Sequence, residues 1–166
     1  MARRMRRFKQ LLQMDDAVAI LNAGTNGVLS LVDAEGEPYG VPLSYVYDGE
    51  GHIYFHSAVS GHKMECIEAE SRCSFCVVAQ DDIVPEEFTT YFRSVIAKGR
   101  VRIITDRDEM MRGLMLLCGK YSGGIDPNEE IARCINHVRV LRLDIESLIG
   151  KEAIELVRAS GNQGAI

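Results

Sequence analysis

A chain of 166 residues with 46% hydrophobic and 26% charged side chains has the composition of one globular domain, large enough to bury roughly 70% of the surface its unfolded form exposes. Its net charge of −5 hides an asymmetry: Arg3, Arg4, Arg6, Arg7 and Lys9 are five of the 19 basic residues, so residues 10–166 carry 14 basic against 24 acidic side chains, a balance of −10 that excludes a general nucleic-acid footprint. No apolar run approaches the roughly 20 residues that span a bilayer, and no signal-peptide stretch follows the basic start, so a cytoplasmic chain with its five cysteines reduced is expected.

The basic arm, residues 1–12, reads as a solvated, flexible terminus, with contact to phosphate as the alternative. Asp15 or Asp16 caps a short helix through Val18, Ile20 and Leu21, and Gly24 ends it where a left-handed backbone is cheap. Residues 27–32 predict a buried strand, because Val28, Leu29, Leu31 and Val32 are β-prone and Asp33-Ala34-Glu35-Gly36 stops the run. That turn returns the chain into residues 37–47, and Asp48-Gly49-Glu50-Gly51 turns it again into residues 53–57, giving two successive hairpins. Ser60 predicts the N-cap of a helix over residues 61–70, with Met64, Cys66 and Ile67 on its apolar side.

Residues 73–79 resume the sheet with Phe75, Val77 and Ala79 on one face. Residues 88–104 form one long strand or two joined ones, with Gly99 where a bulge or barrel corner wants a glycine. Asp106-Arg107-Asp108-Glu109 opens a second helix carrying Met110, Leu114, Leu117 and Met111, Met115, Cys118 at helical spacing, methionines that read as core. After a Gly123-Gly124 loop, residues 128–134 predict a short helix, and Leu141, Leu143 and Ile145 alternate with Arg142 and Asp144 in a last strand. The tail, residues 159–166, is expected to fray. Antiparallel strands with hairpin turns, and no βαβ alternation, imply one domain over residues 1–166: mainly β, a small closed barrel with added helices.

Phosphate loops of the GxGxxG and GxxxxGK[ST] kinds are absent. The segment Tyr54-Phe55-His56-Ser57-Ala58-Val59-Ser60-Gly61-His62-Lys63 leaves a strand, crosses small residues and enters a helix, so hydroxyls, backbone N–H groups and one lysine can converge on an anion such as phosphate; an ordinary connection with a solvated Lys63 is the alternative. Tyr39-Gly40-Val41-Pro42-Leu43-Ser44-Tyr45-Val46-Tyr47 holds a proline in a strand-like run, which favours an edge or a place against a flat ring. In Tyr91-Phe92-Arg93-Ser94-Val95-Ile96-Ala97-Lys98-Gly99, Arg93 and Ser94 face opposite sides, and Arg93 wants an anion or pairs with a surface carboxylate. Cys73 and Cys76 sit at an odd offset on a strand, so no metal site is expected there.

In their order, these segments resemble the FMN-binding split-barrel superfamily of pyridoxamine 5'-phosphate oxidase, and within it the nitroimidazole-resistance (Nim) reductase-like branch. Met5-Arg6-Arg7 and Ile149-Gly150-Lys151-Glu152-Ala153 add to the likeness, which spans nearly the whole chain. The resemblance implies a split β-barrel that is homodimeric, with FMN in a cleft between the two copies. It places Val41, Pro42, Leu43 and Ser44 beside the isoalloxazine ring, His56, Ser57 and Lys63 on the ribityl phosphate, and Tyr91, Ser94 and Val95 near the flavin. His62 matches a histidine of the Nim branch and is the candidate for proton delivery. The implied activity is an FMN-dependent reductase that takes electrons from NAD(P)H and reduces a small nitroaromatic- or quinone-like acceptor. A non-catalytic flavin- or haem-binding module is the alternative. Pyridoxamine 5'-phosphate oxidation fits less well, because Leu43-Ser44-Tyr45-Val46 and His56-Ser57 replace that enzyme's flavin-binding segments.

Overall fold

A computed structural model describes residues 6–161. Its strands are β1 (Asn26–Val32), β2 (Pro38–Ser44), β3 (Val46–Tyr47), β4 (His52–Ala58), β5 (Arg72–Val84), β6 (Thr89–Ile103) and β7 (Val138–Glu152). Its α-helices are α1 (Met14–Ala23), α2 (His62–Ala69), α3 (Arg107–Tyr121), α4 (Asn128–Cys134) and α5 (Ile154–Ala159). All strand pairings are antiparallel, in one sheet ordered β2-β1-β5-β6-β7-β4-β3.

That order cannot lie flat. The two edge strands, β2 and β3, are separated in sequence by Tyr45 alone. A flat sheet would hold them six spacings apart, roughly 29 Å, whereas a single intervening residue spans about 7 Å. The sheet therefore rolls until its edges meet, β2 packs beside β4, and the result is a split β-barrel.

Alternation along the strands fills the interior with Leu29, Leu31, Phe55, Phe75, Val77, Val95 and Leu143. Helix α1 closes one end: Ala17 lies against Gly150 of β7, and the Tyr45 hydroxyl donates to the Leu21 carbonyl at 2.8 Å. Helix α2 closes the other with Met64, Cys66 and Ile67. On the outside of the barrel, Tyr54 and Val140 form a second core with Leu114 and Leu117 of α3 and Ile131 of α4.

Several local expectations change. Residues 8–12 are bound down: Gln10 is buried, Leu11 bridges to Lys151, and the Leu12 N–H donates to the Gly150 carbonyl. Residues 1–5 lie outside the described part, as do residues 162–166 of the tail; Ala159 itself ends α5. Neither Asp15 nor Asp16 caps α1, whose N-cap is Gln13, and Gly24 is extended, at φ −64°. Gly24 is needed for space, since a Cβ there would meet the Tyr45 hydroxyl at 2.6 Å and Val77 at 2.8 Å. Strand β1 is buried on one face only. Ser60 does not cap α2; Gly61 holds that position at φ 123°, which favours glycine. Ala79 leaves the Phe75-Val77 face because the β5–β6 register shifts between Val78 and Gln80, and Phe88 precedes β6 with a left-handed backbone. Met115 is exposed instead of joining the core.

Other expectations hold. The register of β6 against β7 shifts at Gly99, where an added Cβ would strike the Asp144 carbonyl. Asp106 caps α3 by accepting from the Glu109 N–H at 2.8 Å.

Candidate functional site

The strand-to-helix segment builds one mouth of the barrel. On β4, Ile53 and Phe55 point inward and Tyr54 outward beneath α3, so Ser57 faces the interior end and is almost fully buried, while His56 is exposed on the outer side. His56 and Ser57 therefore do not turn their side chains to one place. Three residues of loop lead from Ala58 to Gly61, and α2 starts with His62 and Lys63. Lys63 is half-buried, burial pushes its ammonium below the ordinary lysine value, and no carboxylate among the described residues lies within ion-pair distance.

His62 is half-exposed and surrounded. The edge of its ring meets Tyr39 of β2 at 4.7 Å between centroids. Nε2 lies 4.0 Å from Asp33 Oδ2 and 3.7 Å from Cys66 Sγ, while Nδ1 lies 3.5 Å from Glu65 Oε2. Strand β2 thus begins beside the α2 mouth. It ends beside α1, with Ser44 opposite Asn26. Along it Val41 and Leu43 turn toward the core and Pro42 and Ser44 toward solvent.

The third segment lies elsewhere in the same chain. Ser57 is in register with Arg139 of β7, whereas Ser94 is in register with Lys151. From 139 to 151 is twelve residues, up to about 40 Å of extended strand. Ser94 pairs on its other side with Val78, which lines a groove of about 480 Å³ with Ile20, Thr25 and Ala79. The Tyr91 hydroxyl donates to Glu87 Oε2 at 2.8 Å, which raises the phenol's pKa. Val95 lies wholly inside the barrel. Arg93 finds its anion within the chain, 3.1 Å from the buried Glu152. Segments two and one meet through Tyr39 and His62; segment three does not join them.

Between the two places runs an apolar row on the outer face. Register places Pro42, Val28, Cys76, Ile96 and Ile149 side by side across β2, β1, β5, β6 and β7. Val28 and Ile96 each remain 42% exposed. Cys73 and Cys76 face opposite sides, as their offset requires, and burial pushes the Cys73 thiol up to about 12, so it is an inert packing group. Asp48, Glu50 and His52 cluster elsewhere, but Arg112 and the backbone already engage their carboxylates. One further residue of the mouth, Arg139, went unread: its motif is an ordinary Val-Arg-Val strand, and only the pairing of β7 with β4 brings it to Ser57.

A rolled antiparallel sheet, plugged by a helix at each end and carrying a lysine without a carboxylate partner at one mouth, defines a split-barrel protein. A family model described as pyridoxamine 5'-phosphate oxidase matches residues 13–152, and the chain belongs to that family. Among solved structures, a candidate 5-nitroimidazole antibiotic resistance protein from Bacteroides thetaiotaomicron superposes with a TM-score of 0.74 at 20% identity, over 86% of each chain. An FAD-binding protein from Mesorhizobium loti gives 0.66 at 23% identity, over 87% of this chain and 97% of that one. An FAD and heme binding protein from Mycobacterium smegmatis gives 0.73 at 17% identity, over 92% and 80%. These likenesses share the fold. No curated protein matches the chain. Among the described residues, no helix is long and apolar enough to cross a membrane.

Proposed function

We propose that this chain is a homodimeric, FMN-dependent reductase of the cytoplasm, and the observation that carries the reading is Lys63. A half-buried ammonium with no carboxylate beside it is a cation kept for an anion that the chain itself does not supply. Ser57 and the first turn of α2 add a hydroxyl and backbone N–H groups, the donor set that a phosphate takes. The residues present therefore fit a mononucleotide phosphate. The family the chain belongs to, and neighbours of the same fold that bind FAD, favour a flavin; FMN is the flavin whose terminal phosphate this donor set suits.

Two copies are needed because the segments of one chain stand up to twelve residues apart along β7. The outer row of Val28, Cys76 and Ile96 gives a second copy an apolar face to cover. Packed there, one copy's Ser94 groove would complete the other's Lys63 mouth.

Bound FMN supplies hydride and electron transfer, with NAD(P)H as donor and a small nitroaromatic or quinone as acceptor. The chain's own groups do the rest. Lys63 and Ser57 would anchor the phosphate, the outward side chains of Pro42 and Ser44 with the β2 backbone from Val41 to Ser44 would offer a wall to the ring while Val41 and Leu43 brace that strand from the core, and Tyr91 and Ser94 of the partner copy would border it. His62, whose ring meets Tyr39 and lies near Asp33 and Glu65, would deliver the proton from the mouth.

The test is an absorption spectrum of the purified protein with and without FMN, read with its mass in solution. A yellow dimer bleached by NAD(P)H and recoloured by a nitro compound supports the reading. A flavin that no donor reduces marks a binding module, a Soret band marks haem, and a colourless monomer without affinity for FMN refutes it. In the active protein, His62→Ala should keep flavin bound and lower turnover; unchanged turnover removes His62 from proton delivery.

A further inference from the structure

Arg139 stands directly across from Ser57 in the β4–β7 register, and its side chain takes the same inward side. The alternation of β7 fixes this: Val140 belongs to the outer core beneath α3, while Leu141 and Leu143 fill the barrel. Arg139 is therefore at the α2 end of the interior, beside the hydroxyl that faces the mouth.

Its electrostatic situation is unusual for this chain. The other arginines on the strands, Arg72, Arg93, Arg100, Arg102 and Arg142, each have a carboxylate partner. Among the described residues, Arg139 is the one arginine that is half-buried without such a partner. Its guanidinium makes a 3.1 Å hydrogen bond from Nη1 to the carbonyl of its own neighbour Val138, a neutral acceptor. Lys63 is the corresponding case among the lysines, since the half-buried Lys120 and Lys151 rest on the Gly24 carbonyl and the Phe92 ring. Two half-buried cations without counter-charges thus belong to this strand-to-helix end: Arg139 on β7, across from Ser57, and Lys63, six residues after Ser57 in the first turn of α2.

Resting on the mononucleotide reading of the Lys63 mouth, we propose that Arg139 is the second cation of this cradle and fits it to a terminal phosphate dianion. A phosphomonoester carries about −1.5 to −2 charges near pH 7, and one lysine leaves it half-neutralised. Lysine is a point charge, whereas a guanidinium presents parallel N–H donors that engage two phosphate oxygens at once. With both cations present the site selects FMN over riboflavin, which has no phosphate. It also selects FMN over FAD, in which the same phosphorus is joined to the adenylate phosphate through an anhydride oxygen and carries a single charge.

The experiment measures dissociation constants of FMN, riboflavin and inorganic phosphate for the wild-type protein, Arg139→Gln and Arg139→Lys, using flavin fluorescence for the first two and calorimetry for phosphate. The Gln variant should weaken FMN binding by about 10- to 100-fold and leave riboflavin unchanged, with the Lys variant between. Unchanged FMN affinity, or a loss shared equally by riboflavin, overturns the assignment. If the Gln variant does not fold, the Lys variant decides: an undiminished preference for FMN over riboflavin counts against Arg139. A wild-type protein that binds phosphate but no flavin refutes the flavin reading and keeps Arg139 in an anion site; one that binds neither refutes both.

Discussion

Replacing Ile96 with glutamate should break the dimer and, with it, flavin binding. Ile96 sits mid-row on the outer face, between Cys76 and Ile149, and is 42% exposed in the single chain. Fully burying an isoleucine contributes about 1.5–3 kcal/mol, so covering the remaining exposed part contributes about 0.6–1.3 kcal/mol per copy and about twice that across a two-fold interface. A carboxylate on each side forfeits this and adds a desolvation cost of several kcal/mol per ion, bringing the loss to at least about 4 kcal/mol, a thousandfold in the dimer dissociation constant. Sedimentation equilibrium with a parallel FMN titration reads both effects. Met115→Glu is the control, because Met115 is also 42% exposed but lies on α3, away from the row. An Ile96→Glu protein that stays dimeric, or a monomer that binds FMN as well as wild type, would refute the interfacial site.

Two further outcomes follow from single residues. Lys63→Met should raise the melting temperature of the flavin-free protein at neutral pH while weakening FMN, because it removes a buried charge that only a bound anion compensates. The same group sets a pH trend: its folded pKa lies below its unfolded value, so the unfolded chain binds more protons between the two, and flavin-free stability should rise with pH in the alkaline window up to the ordinary lysine value. That rise should be absent in Lys63→Met, and urea titrations across the window read it directly. Gly99→Ala should destabilise by about 3 kcal/mol, lowering the melting temperature by roughly 6–12 °C, because the Asp144 carbonyl occupies the place of the new Cβ; a melting temperature within a degree of wild type would show that the bulge relaxes freely.

The elements themselves were legible because their signals are local. The Asp33–Gly36 and Asp48–Gly51 turns define the hairpins and Asp106 caps α3, all through contacts within a few residues; Gly99 stands out as a glycine inside a β-prone run, although the Asp144 carbonyl of another strand is what requires it. Local signals also misled where a distant group decides the matter. Gly24 looked like a left-handed helix end, yet it is glycine because Tyr45 and Val77 arrive there from other elements. Ala79 lost its place on the inner face to a register shift that no pattern in its own strand announces.

The chemistry of the mouth was readable as a list of residue types, since a run of small residues, a hydroxyl and a lysine at a strand-to-helix junction has few uses. Its geometry was not. Which strand lies beside β4 depends on hydrogen-bond pairing between segments some eighty residues apart, and that pairing alone puts Arg139 opposite Ser57 and carries Ser94 twelve residues away from it. Side-chain chemistry is written residue by residue, but proximity is a property of the closed sheet, fixed when the single residue Tyr45 forces its two edges together.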